Sequence, residues 1–218
     1  MGCEQMLPPH RDGSPLESAL ELEFLPSGEE WEGKIAYLDR DGVLNVGSEF
    51  YVNSPDELSL LPGTSMALAD LRRAGFRICV ITNQSPVGRG HWGHDTLAEI
   101  HSKLRAMLLE GDPDAIIDLL LYSPYVPTEG SWARKPNPGM LEAGRQLIEN
   151  SHSSPGSEVE ILFDQEWENR PDESGSVLVG DRSSDLAAAE AHGVRGVRCD
   201  PSVGLSGVIG KILGVENE

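Results

Sequence analysis

The chain has 218 residues, enough for one ordinary α/β domain with extensions and a sizeable core. Its 36 acidic and 17 basic residues give a formal net charge of −19, which repels nucleic acid backbones and anionic membranes. We therefore expect neither nucleic acid nor a membrane as a partner. An anionic substrate would need a metal ion or local basic residues to reverse the potential at its site.

The cysteines are few and scattered along the chain. Cys3, Cys79 and Cys199 form neither a disulfide framework nor a zinc-binding pattern. No secretory apolar region opens the chain, and no apolar run is long enough to span a bilayer. We expect a cytoplasmic protein, and a monomer.

The first predicted strand ends at two carboxylates. Residues 1–33 are acidic and contain Pro and Ser, so we expect an N-terminal extension that is partly disordered. The apolar run Ile35–Leu38 then predicts a strand buried on both faces of a parallel sheet. Asp39 and Asp41 follow at the carboxyl edge of the sheet, where open α/β sheets bind ligands. Gly42 allows the chain to turn sharply away.

Two simpler interpretations of this motif compete with a functional one. A single Asp-x-Asp is more often just the polar end of a strand. A calcium-binding loop is excluded because Leu44 and Phe50 stand where that loop requires Gly and Glu. The functional interpretation therefore depends on what later segments supply.

The rest of the chain alternates predicted helices and strands, which favours a Rossmann-like parallel sheet with helices on both faces. The predicted elements are an excursion at 46–61, a helix at 64–75 containing Met66, a strand at 76–81, a loop at 85–90, a helix at 94–109, a strand at 116–121, a Pro-rich loop at 123–137, a helix at 138–150, a strand at 177–179, a helix capped by Ser183, a strand at 194–199 and a final helix after Pro201. Residues 151–176 are too long for an ordinary connection and predict an insertion, either a small hairpin or partly disordered.

Polar groups lie at the ends of four predicted strands or in the loops that follow them. They are Asp39 with Asp41, Thr82 with Asn83, Arg134 with Lys135, and Asp181 with Asp185. In a parallel sheet they converge on one edge, where three carboxylates would repel each other unless a hard cation lies between them. Mg²⁺ suits such a site because it takes carboxylates, keeps waters and accepts a phosphate oxygen. Lys135 and the Thr82 hydroxyl could then hold the remaining phosphoryl oxygens.

The order Asp-x-Asp, Thr, Lys and Gly-Asp-x-x-x-Asp over residues 34–199 resembles the haloacid dehalogenase (HAD) superfamily of phosphohydrolases. The resemblance implies that Asp39 is a nucleophile that forms an aspartyl phosphate. It implies that Asp41 protonates the leaving oxygen and then activates water. It assigns Thr82 and Lys135 to the transferring phosphoryl group. The implied Mg²⁺ ligands are Asp39, the backbone carbonyl of Asp41, and Asp181, with Asp185 supporting them.

Longer motifs narrow the resemblance to one branch. Asp-Arg-Asp-Gly-Val-Leu-Asn at 39–45, Thr-Asn-Gln-Ser at 82–85, Gly-Arg-Gly at 88–90 and Arg-Lys-Pro-Asn-Pro-Gly-Met at 134–140 are similar to the D-glycero-D-manno-heptose 1,7-bisphosphate phosphatase and histidinol-phosphate phosphatase branch. That branch lacks a large cap domain and closes its site with three loops, here 46–61, 85–93 and 123–137. The resemblance implies substrate contacts from Asn45, Asn83, Gln84, Ser85 and Arg134. Arg134 could bind a second phosphate bidentately.

One motif of the branch is missing. Many members hold the third loop with zinc on three Cys and one His, but residues 122–134 contain neither residue type, so we expect no structural zinc. The leading hypothesis is a Mg²⁺-dependent phosphatase that removes one phosphate from a heptose 1,7-bisphosphate. Histidinol phosphate or another small phosphate ester stays open as the substrate, and an inactive phosphate-binding domain stays open as the non-enzyme alternative. A DNA 3′-phosphatase shares two motifs, but the net charge counts against it.

Overall fold

Strand β2 (Ile35–Leu38) lies inside a six-stranded sheet, where all four of its side chains are buried. A computed structural model describes residues 6–26, 28 and 30–215. The strands follow the order β1-β4-β3-β2-β5-β6, with β1 antiparallel to β4 and the other neighbours parallel. The remaining strands are β1 (His10–Arg11), β3 (Arg77–Asn83), β4 (Leu119–Ser123), β5 (Val177–Gly180) and β6 (Arg195–Arg198).

Helices cover both faces of the sheet, as the alternation of elements predicts. They are α1 (Thr64–Arg73), α2 (Ser85–Gly88), α3 (His94–Gly111), α4 (Gly139–Ser153), α5 (Ser183–His192) and α6 (Ile209–Leu213). Helices α1, α3 and α6 pack on one face, and α4 and α5 pack on the other. Alternate residues of β2 point to the two faces, so Ala36 belongs to one apolar cluster and Tyr37 to the other. No separate cap domain is present in the part of the chain that the structure describes.

Residues 6–26 of the N-terminal extension pack along the domain. Strand β1 adds an edge strand to β4, and Leu20 is buried in the core. Leu25 is buried as well, so the apolar patch at Leu20, Leu22, Phe24 and Leu25 contributes to this contact, although Phe24 itself is exposed. The expectation of disorder for the first residues, and Cys3 with them, lies outside the described residues.

The insertion also differs from its prediction. Helix α4 continues to Ser153, and residues 154–176 contain one short 3₁₀ turn (Asp164–Glu166) instead of a hairpin. Ile161 is buried against the α4 face of the sheet, and Val159 and Phe163 pack partly buried against the same cluster. A pattern without alternation gives no basis for pairing two strands, which explains why the hairpin alternative is wrong.

Smaller differences concern element ends. Strand β3 continues through Thr82 and Asn83, and a short helix, α2, replaces the loop predicted after it. Met66 was assigned to the apolar side of α1 but is 62% exposed. Ser183 is the first residue of α5 instead of its cap. These differences leave the polar groups at the carboxyl edge of the sheet.

Candidate active site

The predicted site residues meet where β2, β3 and β5 end. Asp39 directly follows β2, and its backbone N–H donates to the carbonyl of Val179 in β5 at 3.0 Å. Thr82 is the last but one residue of β3 and is 1% exposed. Asp181 follows β5, and Lys135 comes from the loop before α4. The parallel register of the three strands therefore brings residues distant in sequence to one edge.

Lys135 is the buried cation of the site. Its Nζ lies 3.0 Å from Asp39 Oδ1 and 2.7 Å from Asp185 Oδ1, and it donates to the carbonyl of Ile81 at 2.9 Å. Burial alone would lower the pKa of Lys135, but the Asp39 and Asp185 carboxylates outweigh it and raise that pKa. Lys135 therefore stays protonated at neutral pH.

Three carboxylates form the candidate metal centre. Asp39, Asp181 and Asp185 each present an oxygen, and these oxygens lie within 4.8 Å of one another. Among the described residues, the buried Oδ1 of Asp181 has no hydrogen-bond partner, and burial is the main reason that the pKa of Asp181 is raised. Hard carboxylate oxygens of this kind fit Mg²⁺. The structure thus places Asp185 close enough to be a ligand, although the resemblance implies only a supporting role.

Gly42 makes room for this cluster. Its φ is +79°, a conformation that favours glycine, and a Cβ built there would lie 2.8 Å from Asp181 Oδ2. The turn after the Asp-x-Asp motif therefore depends on a residue without a side chain. Any other residue would displace Asp181 from the carboxylate cluster.

The side chain of Asp41 is held by hydrogen bonds on both oxygens. Arg40 donates to Oδ1 from Nε at 3.2 Å and contacts both oxygens from Nη2 at 3.0 Å. Asn45 Nδ2 donates to Oδ1 at 2.9 Å, and Gln84 Nε2 donates to Oδ2 at 3.1 Å. Burial acts to raise the pKa of Asp41, but the charge of Arg40 and these hydrogen bonds outweigh it and lower that pKa. The carboxylate is ionised in this arrangement.

Several known proteins are similar to this chain. The HAD-hydrolase-like family model matches residues 132–199. A relative from Pseudomonas putida, named D-glycero-beta-D-manno-heptose-1,7-bisphosphate 7-phosphatase, is 36% identical over 164 residues, which cover 75% of this chain and 81% of the relative.

The chain belongs to the HAD-like hydrolase family.

Two solved structures support the fold of this HAD-like hydrolase. The D,D-heptose 1,7-bisphosphate phosphatase from B. bronchiseptica, complexed with magnesium and phosphate, is 29% identical, with a TM-score of 0.60 over 82% of this chain and 99% of the other. A HAD-like phosphatase from Mesorhizobium loti, called putative in its own description, is 24% identical, with a TM-score of 0.61 over 92% of this chain and 94% of the other, and supports the fold alone.

In this HAD-like hydrolase, burial is the largest influence on the pKa of Asp39. Burial and the negative charges of Asp185 and Asp41 raise the pKa of Asp39 to about 6, while Lys135 opposes the rise. The Arg40 backbone N–H and Lys135 Nζ both lie on its Oδ1, at 2.8 and 3.0 Å. These contacts leave Oδ2 without a hydrogen bond from the described residues. A divalent cation would lower the pKa of Asp39 again, because it stabilises the charged form.

Four of the five predicted substrate contacts form hydrogen bonds with or pack beside the other predicted site residues. Asn83 lines the site cavity, and its Nδ2 donates to the Lys135 carbonyl at 3.0 Å while its Oδ1 accepts from the Lys135 N–H at 3.1 Å. Gln84 Nε2 donates to Thr82 Oγ1 at 2.8 Å as well as to Asp41. Asn45 is fully buried and holds Asp41, and Ser85 is buried at the start of α2. These contacts help to position Asp41, Thr82 and Lys135.

Arg134 precedes Lys135 in the loop before α4. It is half-buried, and its Nη1 donates to the carbonyl of Tyr125 at 3.1 Å. Burial, and then the charges of Arg89 and Arg182, lower the pKa of Arg134, so three guanidinium groups lie near one another. Of these three, Arg182 lines a cavity of about 30 Å³, together with Asp39, Asp41, Thr82, Asn83, Lys135, Ser184 and Asp185.

Sequence reasoning missed several lining and supporting residues. Arg182 and Ser184 stand inside the Gly-Asp-x-x-x-Asp motif, where only the acids were considered. Arg40 stands between the two acids of Asp-x-Asp, and its contact with Asp41 follows from that adjacency. The position of Arg40 in the motif was the available signal.

The N-terminal extension and the insertion after α4 both stabilise the loop that carries Lys135. The N-terminal extension accepts hydrogen bonds at the carbonyl of Leu7 from the Ser131 hydroxyl and the Ala133 N–H, at 3.1 and 3.3 Å. On the other side, the fully buried Glu142 accepts from Trp132 Nε1 and from Arg170 of the insertion, both at 2.7 Å. The extension, for which partial disorder is predicted, and the insertion, for which a hairpin or partial disorder is predicted, thus both support the loop.

Proposed function

We propose that this chain is a Mg²⁺-dependent phosphatase that removes one phosphate from a heptose 1,7-bisphosphate. The convergence of Asp39, Lys135, Asp181 and Asp185 within ion-pair and metal-binding distances carries the proposal. The names of the Pseudomonas putida relative and of the B. bronchiseptica structure support the substrate class. Histidinol phosphate and other small esters are less favoured because both named relatives act on the heptose bisphosphate.

The carboxylate of Asp39 is the proposed nucleophile. Its Oδ2 forms a bond to phosphorus as the bond from phosphorus to the sugar oxygen breaks, which gives an aspartyl phosphate. Lys135 Nζ and the Thr82 hydroxyl hold the phosphoryl oxygens during the transfer. Mg²⁺ bound by Asp39, Asp181, Asp185 and the Asp41 carbonyl would neutralise the charge that accumulates there.

Asp41 is the proposed acid and base. It is ionised in the structure, but a phosphate dianion bound beside it would disfavour a second negative charge and raise its pKa. Protonated in this way, Asp41 gives its proton to the departing sugar oxygen. It then removes a proton from a water molecule, which attacks phosphorus and breaks the bond to Asp39. Inorganic phosphate and the free carboxylate of Asp39 are regenerated.

Three neighbouring arginines suit a substrate with two phosphates. Arg134, Arg89 and Arg182 lie close enough for their charges to act on one another. Because the chain carries a net charge of −19, this local positive charge would favour a second phosphate where the overall field repels it. Arg134 is the proposed main contact because it neighbours Lys135 in the same loop.

Phosphate release over a substrate panel tests the proposal. The panel contains heptose 1,7-bisphosphates, sugar monophosphates and histidinol phosphate, each with Mg²⁺ and with EDTA. We expect the highest kcat/KM on a heptose 1,7-bisphosphate, and no turnover in EDTA. Asp39→Asn should abolish turnover while leaving the circular dichroism spectrum unchanged, because an amide cannot form the aspartyl phosphate.

Two outcomes would contradict the proposal. Higher kcat/KM on histidinol phosphate or on a monophosphate would reassign the substrate. Retention of Mg²⁺-dependent turnover by Asp39→Asn would exclude Asp39 as the nucleophile.

A further inference from the structure

A buried row of polar side chains connects the N-terminal extension with Asp41. Asp12 Oδ1 lies 3.0 Å from His101 Nδ1, and His101 Nε2 lies 3.4 Å from Arg40 Nη1. Arg40 then contacts both oxygens of Asp41 through Nε and Nη2. His101 is fully buried and Arg40 is 1% exposed, so solvent does not compete for the contact between them, whereas Asp12 and Asp41 at the two ends are partly exposed.

The chemistry of the groups determines which atom donates and which accepts in each hydrogen bond of the row. A guanidinium donates hydrogen bonds and cannot accept them, so His101 Nε2 must be the acceptor for Arg40. The proton of the neutral ring is then on Nδ1, from which it is donated to Asp12 Oδ1. Burial lowers the pKa of His101, which favours this neutral form. Asp12 therefore selects the ring tautomer that can receive Arg40.

The sheet fixes Asp12 in place. The residue directly follows β1, and its own N–H donates to the carbonyl of Leu120 in β4 at 3.0 Å. Arg105 of α3 lies 3.8 Å from its second oxygen. The position of the carboxylate thus depends on the pairing of the extension with the domain, not on a flexible tail.

We propose that Asp12 is a positioning residue of the phosphatase reaction, which acts through His101 and Arg40 to fix the carboxylate of Asp41. Through this row the N-terminal extension forms part of the active site. The inference rests on the acid and base role of Asp41 proposed above. A row that only satisfied buried polar groups would not end in three contacts on both oxygens of the residue that delivers the proton.

The reaction offers a readout specific to this role. Departure of a sugar alkoxide needs the proton of Asp41, whereas departure of p-nitrophenolate does not. The ratio kcat/KM reports the steps up to cleavage of the ester bond. A displaced Asp41 should therefore lower kcat/KM for a heptose 1,7-bisphosphate and leave kcat/KM for p-nitrophenyl phosphate nearly unchanged.

Asp12→Ala and Asp12→Asn form the central comparison, in the full chain with Mg²⁺. Alanine removes the acceptor for His101 Nδ1, and we expect kcat/KM on the bisphosphate to fall about tenfold, the effect of one charge-assisted hydrogen bond. Asparagine keeps an oxygen acceptor and should stay close to wild type. Asp70→Ala is the matched control because it removes one negative charge on α1, where Asp70 pairs with the exposed Arg73.

A second measurement does not depend on turnover. Nitrogen-15 NMR of labelled histidine reports which ring nitrogen carries the proton, and the His101 signal is assigned by its loss in His101→Gln. We expect the Nδ1–H tautomer in wild type and in Asp12→Asn, and its loss in Asp12→Ala. Finding Nε2–H in the wild-type protein would overturn the proposal.

The kinetic outcomes separate the two proposals. If Asp41→Asn shows no dependence on the leaving group, the assigned role of Asp41 fails, and the inference about Asp12 fails with it. If Asp41→Asn shows the dependence but Asp12→Ala lowers both substrates equally or neither, only the inference about Asp12 is refuted. Equal damage by Asp12→Asn and Asp12→Ala would refute it too.

Discussion

Replacing Lys135 with methionine tests the buried charge balance of the site. The change removes an ammonium that lies 3.0 Å from Asp39 and 2.7 Å from Asp185, while methionine fills much of the volume of the lysine stem. Removing one partner of a buried ion pair leaves an uncompensated charge and typically costs about 3–5 kcal/mol. We therefore expect the free energy of unfolding of Lys135→Met to fall by about this amount in EDTA.

Urea denaturation measures the change, with three comparisons. Lys103→Met, an exposed lysine on α3, should cost little and controls for loss of a positive charge. Mg²⁺ should stabilise Lys135→Met more than wild type, because a cation then offsets carboxylates that no ammonium balances. The double variant Lys135→Met with Asp185→Asn should recover part of the stability without recovering turnover, since one unpaired carboxylate is gone.

The result that would refute this reasoning is specific. If Lys135→Met unfolds at the same urea concentration as Lys103→Met in EDTA, the carboxylates do not depend on the ammonium. If the double variant is less stable than Lys135→Met, repulsion among the carboxylates is not the cause of the loss.

Three further predictions use other parts of the structure. Arg134→Ala should lower kcat/KM for a bisphosphate about ten- to a hundredfold, the effect of losing roughly 1.5–3 kcal/mol from a charged hydrogen bond. It should hardly change kcat/KM for a monophosphate. Equal losses on the two substrates would exclude Arg134 as the contact for the second phosphate. Metal analysis of the purified protein should find no stoichiometric zinc, because residues 122–134 offer neither thiol nor imidazole, and bound structural zinc would contradict this. Burial acts to raise the pKa of Glu173, but His192 and Arg145 outweigh burial and hold that pKa below its ordinary value of 4.5. The ionised Glu173 therefore stabilises the folded protein above pH 4.5, and this contribution is lost as the pH falls through the lowered pKa. Thermal unfolding should therefore show Glu173→Gln less stable than wild type near pH 7, with the difference shrinking in acid, and a constant difference would exclude this linkage.

The sheet and the catalytic edge were predictable because both follow from local patterns. The buried strand before Asp39 and the one before Asp181 are short apolar runs, and parallel strands bring their carboxyl ends together. The order of strands and helices was therefore enough to predict that the four sets of polar groups meet at one edge of the sheet. Family resemblance supplied the role of each group, which the pattern alone could not.

The less predictable features depend on contacts between distant segments. Nothing in the composition of residues 6–12 indicates that Asp12 lies against His101, because the pairing of β1 with β4 places it there. Asn83 is predicted to contact substrate and lines the site cavity, and its amide also forms hydrogen bonds with both polar groups of the Lys135 backbone, which the sequence did not indicate. A polar side chain at a strand end has the same appearance in sequence whether it faces a ligand or the neighbouring loop.

The contacts between the N-terminal extension and the catalytic loop, which is the loop that carries Lys135, have a consequence for biosynthesis. The extension is made first, but its partners His101, Tyr125 and Ser131 lie 89, 117 and 124 residues further along the chain. Contacts of such sequence separation close large loops and slow folding. During synthesis on the ribosome, residues 6–12 therefore lack their native partners until most of the sheet has been synthesised. We expect the catalytic loop to become fixed only after β4 has emerged, so that competence for phosphate transfer is among the last properties the nascent chain acquires.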